Sequence, residues 1–285
     1  MVSIASATQY MMILRSNRRL ALGISVFSAI LIMGIVGPIL YPRDPLSFAG
    51  PFETPPNAQY PLGTDTYGRD LLAQLLHGTR MSLYVGLLTA LIAMAIGTLI
   101  GTLAGVRGGI IDEILMSITN IVLSIPSILL AILIASYFKV RSIEFVAFLL
   151  GITSWPWYAR AIRAQLMSLR EREFVYLSKM SGYSSLRLAL EDLMPNMATY
   201  IFMAFVLYVN TGILGEAGLS IIGLGPTQGV TLGITLQWAA LMEAFRRGLW
   251  WWFVPPGTVI VATTVSLLII ATAVDEIFNP RLRRG

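Results

Sequence analysis

The chain has 285 residues, 56% of them apolar and only 12% charged, with no cysteine, one histidine (His77) and a formal charge of +5. Soluble domains run near 45–50% apolar and about 25% charged, so this chain has too few charges to cover a water-exposed surface. That excludes a soluble enzyme, and the missing Cys and scarce His exclude a thiolate nucleophile, a Cys-ligated metal or a His-built metal site. What remains is an all-α polytopic membrane protein, embedded in lipid, whose excess arginine reports loop topology and not nucleic-acid binding.

A spanning helix needs roughly 20 mostly apolar residues. Six stretches meet that demand, giving about six transmembrane helices at 20–41, 81–106, 114–138, 145–161, 197–222 and 254–274. The first has no small-residue cleavage site after it and a longer apolar core than a signal peptide's, so it reads as an uncleaved span. The organisation is then an N-terminal segment 1–19, a first span 20–41, a loop 42–80, and a five-helix core 81–285. Six spans put both termini on one side. Taking that side as the cytoplasm, the Lys and Arg split 13 inside to 7 outside, in agreement with the positive-inside bias. Trp155 and Trp157 then sit at the inner interface, and Trp250, Trp251 and Trp252 at the outer one.

The loop 42–80 opens with six prolines between Pro42 and Pro61 and is extended and rigid, since proline cannot continue a helix. It leads into Gly63, Thr64, Asp65, Gly68, Arg69 and Asp70. Asp65, Arg69 and Asp70 read either as a local ion-pair and capping cluster or as a ligand contact. The piece 71–77 has helical apolar spacing and is expected to lie along the membrane surface. In the second span, Gly97 and Gly101 form a GxxxG pair, read as packing within the chain and not as a dimer contact.

The longest inner polar stretch is 163–195. Its periodicity predicts one helix to about Ser181, a stop at Gly182, a second short helix capped by Ser184 or Ser185, and an end at Pro195. Two such helices displaying Phe174, Val175, Met180 and Leu186 form a docking surface for another protein, or a hairpin folded on the chain's own spans. The outer loop 223–253 holds Trp238 and the Trp run, read as interface anchors or as a platform for a sugar or peptide. Glu216, at the outer end of the fifth span, either pairs locally or serves as a gate.

The spans carry no ionisable residue away from their ends, which counts against an ion-coupled carrier. A phosphate-binding P-loop needs a Lys followed by Ser or Thr, and neither Lys139 nor Lys179 fits. An intramembrane enzyme would need a polar catalytic set that the spans do not offer. Active transport by this chain would therefore need an energy source docked from outside.

Four segments in order carry a resemblance: LGTDTYGRDL at 62–71, SLREREFV at 168–175, ILGEAGLSIIGLG at 213–225 and NPRLR at 279–283. With them the chain resembles permease subunits of dipeptide- and oligopeptide-type ATP-binding-cassette importers, specifically the second of the two permeases. The resemblance implies a type I importer permease fold, a homologous permease beside it, two ATPase subunits, and an extracellular substrate-binding protein. ATP and Mg would then be held by the ATPases, with no cofactor, catalytic residue or metal in this chain. It implies that 163–195 is the coupling loop, with Glu173, Phe174, Tyr176, Ser178, Lys179, Gly182, Tyr183, Ser184, Leu186 and Pro195 at the ATPase contact. Tyr176, Leu177 and Ser178 depart from the family's Glu-Ala-Ala positions. Relatives of this pattern carry peptides and, in some cases, oligosaccharides.

Overall fold

The computed structural model describes residues 17–184 and 187–278, apart from the side chains of Lys179 and Phe278. Ser185, Leu186, the 279–283 segment and most of 1–19 lie outside the described residues. The helices are α1 (Arg18–Leu40), α2 (Leu71–Arg107), α3 (Gly109–Leu123), α4 (Ser127–Ser136), α5 (Ile143–Arg170), α6 (Glu173–Met180), α7 (Ala198–Ile221), α8 (Leu232–Leu241) and α9 (Trp250–Phe278). A π-helical stretch, Leu188–Leu193, and a short turn, Met194–Asn196, lead into α7.

Among the described residues α1, α2, α7 and α9 are long and apolar enough to cross a membrane. The bent pair α3–α4 adds a fifth crossing if the two halves form one span. The expected 145–161 span lies inside α5, whose 28 residues include Glu144, Arg160, Arg163 and Arg170, and these dilute its apolar content. The expected third span is not one helix. It breaks at 124–126 with a 73° bend. Pro126 offers no N–H and clashes with the preceding turn, and the residue before a proline is driven out of the helical region.

The loop expected over 42–80 gives way to helix at Leu71. The segment 71–77 is not a separate surface helix but the first turns of α2, where Leu71, Ala73, Gln74, Leu75 and Leu76 are buried. Nothing between His77 and Met81 stops a helix, and the 37 residues of α2 measure roughly 55 Å. That exceeds a hydrocarbon core of about 30 Å, so part of α2 stands outside it.

The packing spine is α2 against α5, with α7 also packed on α2 and α1 lying on α9. Gly97 and Gly101 are what permit the α2–α5 contact. A Cβ at Gly101 would stand 2.9 Å from Ile162 Cβ, and one at Gly97 2.7 Å from the Tyr158 ring. The GxxxG pair thus serves contact within the chain. The short apolar α8 sits among α2, α7 and α9. Trp252 and Trp155 are buried core residues, so the interface-anchor reading fits the exposed Trp157 and Trp250 and fails for those two.

Candidate functional site

Three regions gather the expected residues. The first is the motif before α2. Asp70 caps that helix, its Oδ1 accepting from Leu72 N at 2.9 Å and Ala73 N at 3.2 Å. Its Oδ2 accepts from the Tyr41 hydroxyl at 2.6 Å and Arg43 Nη1 at 2.7 Å. Asp65 is fully buried; Oδ1 accepts from Tyr67 N and Arg69 N, and Oδ2 from Gln74 Nε2 at 2.9 Å. Thr64 Oγ1 donates to Pro51 O and accepts from Thr54 N, while Gly63 and Gly68 hold positive φ at the turns.

The capping reading stands, with one correction. The cation paired with Asp70 is Arg43, not Arg69. Arg69 instead stacks on Tyr67 and Trp238, its Cζ 4.7 and 4.8 Å from the ring centres. The buried carboxylates spend their acceptors inside the motif, which ties the 42–70 loop to α2.

The second region is the segment 163–195. Its first part continues α5 to Arg170, and the expected single helix to Ser181 is interrupted at 171–172 before α6. Arg172 N bonds to Leu169 O, a tightened last turn that ends α5. Gly182 has φ +82° with open space around it, so its requirement is backbone conformation and not room. Ser184 Oγ accepts from Arg187 N at 3.3 Å, as a capping residue does. Pro195 does not end the helical path; it lies within the Met194–Asn196 turn, and the break falls at Met197. The wider π-helical ladder upstream accommodates the ring that would clash in an α-helix.

Packing also corrects which side chains are displayed. Val175, Leu188 and Leu193 are buried against Tyr158, Ile162 and Leu166 of α5, and Phe174 is half-buried with them. Tyr176, Leu177, Met180 and Leu190 face outward. Glu173 is exposed in the first turn of α6, Ser178 Oγ donates to Phe174 O, and Tyr183 carries the Arg187 guanidinium at 4.1 Å from its ring centre. The alternatives of docking surface and self-packed hairpin therefore divide one segment between its two faces. Arg163 anchors the segment's start through a bidentate pair with Asp112 of α3, at 2.5 and 2.6 Å.

The third region surrounds Glu216, which is fully buried in α7. Its Oε1 accepts from Ser220 Oγ and Thr231 Oγ1, each at 2.6 Å, while Oε2 has no partner. Thr231 also caps α8, accepting from Ile234 N at 3.1 Å, and Ser82 Oγ of α2 accepts from Leu232 N at 3.0 Å. Glu216 is thus the joint between α7 and the start of α8, paired with hydroxyls. Sequence reasoning missed Thr231, although a Thr directly before an apolar run is a helix-start signal. It also missed Arg141, a nearly buried guanidinium that donates to the carbonyls of Gly225, Gly223 and Phe138. Arg141 fastens the α4–α5 turn to the loop after α7, and no local pattern marks it. Among the described residues no cluster of His, Asp and Glu could hold a metal.

Helices of this length and apolarity define a multi-pass membrane protein with a structured segment packed beneath one end of α5. Residues 97–284 match the family described as binding-protein-dependent transport system inner membrane component, and the chain belongs to that family. It is 29% identical over 213 residues to the dipeptide transport system permease protein DppC of Bacillus subtilis, covering 74% of this chain and 66% of that one. It is 33% identical over 186 residues to the oligopeptide transport system permease protein OppC of Mycobacterium bovis, covering 65% and 64%. The di/tripeptide transport system permease protein DppC of Pseudomonas aeruginosa is 31% identical over 213 residues, at 72% and 70% coverage. The first two alignments span just under two thirds of the relatives' own length.

Proposed function

We propose that the chain is the membrane permease subunit of an ATP-driven importer of dipeptides or oligopeptides. It forms the pathway together with a homologous permease. Two ATPase subunits dock on 163–195 and supply ATP hydrolysis with their own Mg, and an extracellular binding protein delivers substrate. Both termini then lie in the cytoplasm, in keeping with the 13-to-7 split of basic residues.

The observation that carries this reading is the two-faced coupling segment. Its inner face is locked to α5 through Val175, Leu188 and Leu193, and its outer face presents Tyr176, Leu177 and Met180. A push on that outer face is transmitted to α5 because packed side chains are nearly incompressible. Names borne by the relatives support peptides as cargo. Purification of the tagged chain from its native membrane in mild detergent, followed by mass spectrometry, tests the reading. Two P-loop ATPases and a second permease are expected to accompany it. A chain that purifies alone, under conditions that preserve other complexes, would overturn it.

A further inference from the structure

Midway along α5 and α7, beside the start of α4, is a cavity of about 300 Å³ lined by Ser127, Thr153, Ser154, Asn210, Thr211 and apolar residues. Three of its five polar side chains share one property. Thr153 Oγ1 donates to Leu149 O, Ser154 Oγ to Leu150 O and Thr211 Oγ1 to Leu207 O, at 2.9, 2.6 and 2.9 Å. Each hydroxyl proton is spent on its own helix, so each oxygen is left as an acceptor. Asn210 is 8% exposed and its Oδ1 is buried with no partner. No charged side chain and no aromatic ring lines the cavity.

A carboxamide oxygen held unpaired at mid-helix in a spanning segment is costly against hydrocarbon. Non-helical backbone is likewise tolerated at membrane depth only where it lines a cavity or meets protein, and the break at 124–126 leads directly into Ser127 of the lining. The cavity is therefore read as a path and not as a lipid contact. Resting on the importer reading above, we propose that this cavity holds the main chain of a peptide in transit. The hydroxyl oxygens of Thr153, Ser154 and Thr211 accept from backbone amide N–H groups, and the Asn210 amide nitrogen donates to one peptide carbonyl. With no charge in the lining, the contact reads the backbone common to all peptides and ignores side-chain charge. With no ring in the lining, a sugar has nothing to stack on. The volume lies at the small end of ligand sites, so the cavity grips a segment of a peptide and leaves the rest to the partner permease.

The test uses the full complex in proteoliposomes with its binding protein and ATP on the cytoplasmic side. Uptake of radiolabelled trialanine is compared with that of trialanine methylated on its central amide nitrogen. The complexes are wild type, Asn210→Leu, and the double variant Ser154→Ala/Thr211→Val. The same binding protein loads both peptides, so a change between complexes in the ratio of the two uptakes belongs to this chain. The variants are expected to lose about tenfold in trialanine uptake and several-fold in preference for trialanine over its methylated form. Binding-protein-stimulated ATP hydrolysis is expected to persist. The double variant removes only hydroxyls and is decisive if Asn210→Leu does not assemble. Unchanged trialanine uptake in an otherwise active complex would overturn the cavity's role and leave the importer reading standing. Equal losses for both peptides would assign the residues to structure and overturn it as well. A wild-type complex that takes up maltotriose and no peptide would overturn the peptide reading itself, and this proposal with it.

Discussion

Asp70 and Glu216 show how buried carboxylates of one sequence take different tasks from their neighbours. Asp70 has both oxygens committed, to the first turn of α2 and to Tyr41 and Arg43. Asp70→Ala removes the cap and strands the arginine, and should lower stability by about 2–3 kcal/mol, read as a lower thermal midpoint in detergent. Asp70→Asn keeps an acceptor for the cap and should lose less. Glu216 has only hydroxyl partners, on Ser220 and Thr231. Glu216→Gln retains an oxygen for those two donors and should be nearly as stable as wild type. Glu216→Ala leaves two hydroxyls unpaired beside a void and should cost about 2–4 kcal/mol. Equal thermal midpoints for the Gln and Ala variants would remove the α7–α8 joint from the account.

Helix contacts and helix ends carry the next set of consequences. The α2–α5 crossing depends on Gly101, where a side chain would meet Ile162 and the backbone of Ala159. Gly101→Val should destabilise by about 1–3 kcal/mol through overpacking, seen as lower detergent stability, whereas Gly257→Ala, with open space around it, should not. Gly182 separates α6 from the π-helical stretch with a left-handed turn. Gly182→Ala should strain that turn by about 1 kcal/mol and weaken coupling modestly. Gly182→Pro cannot adopt the turn at all and should abolish transport-coupled ATP hydrolysis in the complex while leaving the spans folded. Full coupling in the Pro variant would dissociate the segment from ATPase docking. At this scale the sequence was a good guide to where helices lie and a poorer one to their ends. Apolar runs of spanning length located α1, α7 and α9, but α2 starts at Leu71 and α5 runs on to Arg170. No breaker stands at either boundary where hydropathy falls, and a helix ends where its hydrogen bonds end.

On the scale of the whole chain, the proposed permease has no nucleotide-binding loop among its residues 1–285, so the chain by itself is expected to do no work. Reconstituted alone in liposomes, it should neither hydrolyse ATP nor take up peptide along an ion gradient. Uptake by the chain alone would revive an ion-coupled carrier. Composition, apolar runs of spanning length and short motifs determined the membrane class and the family. All of these are local sums over neighbouring residues, legible without knowing what meets what. Only the tertiary structure decided that Arg43 and not Arg69 pairs with Asp70. It also turned Val175 inward while Tyr176 and Met180 face out, and it set Ser82 of α2 against the start of α8 across 150 residues of chain. The mid-helix cavity around Asn210 belongs with these, because its walls come from three helices, α4, α5 and α7. Partners so far apart in sequence leave no periodic trace. Their choice is made when helices close on one another and each buried polar group must find a donor or acceptor within reach.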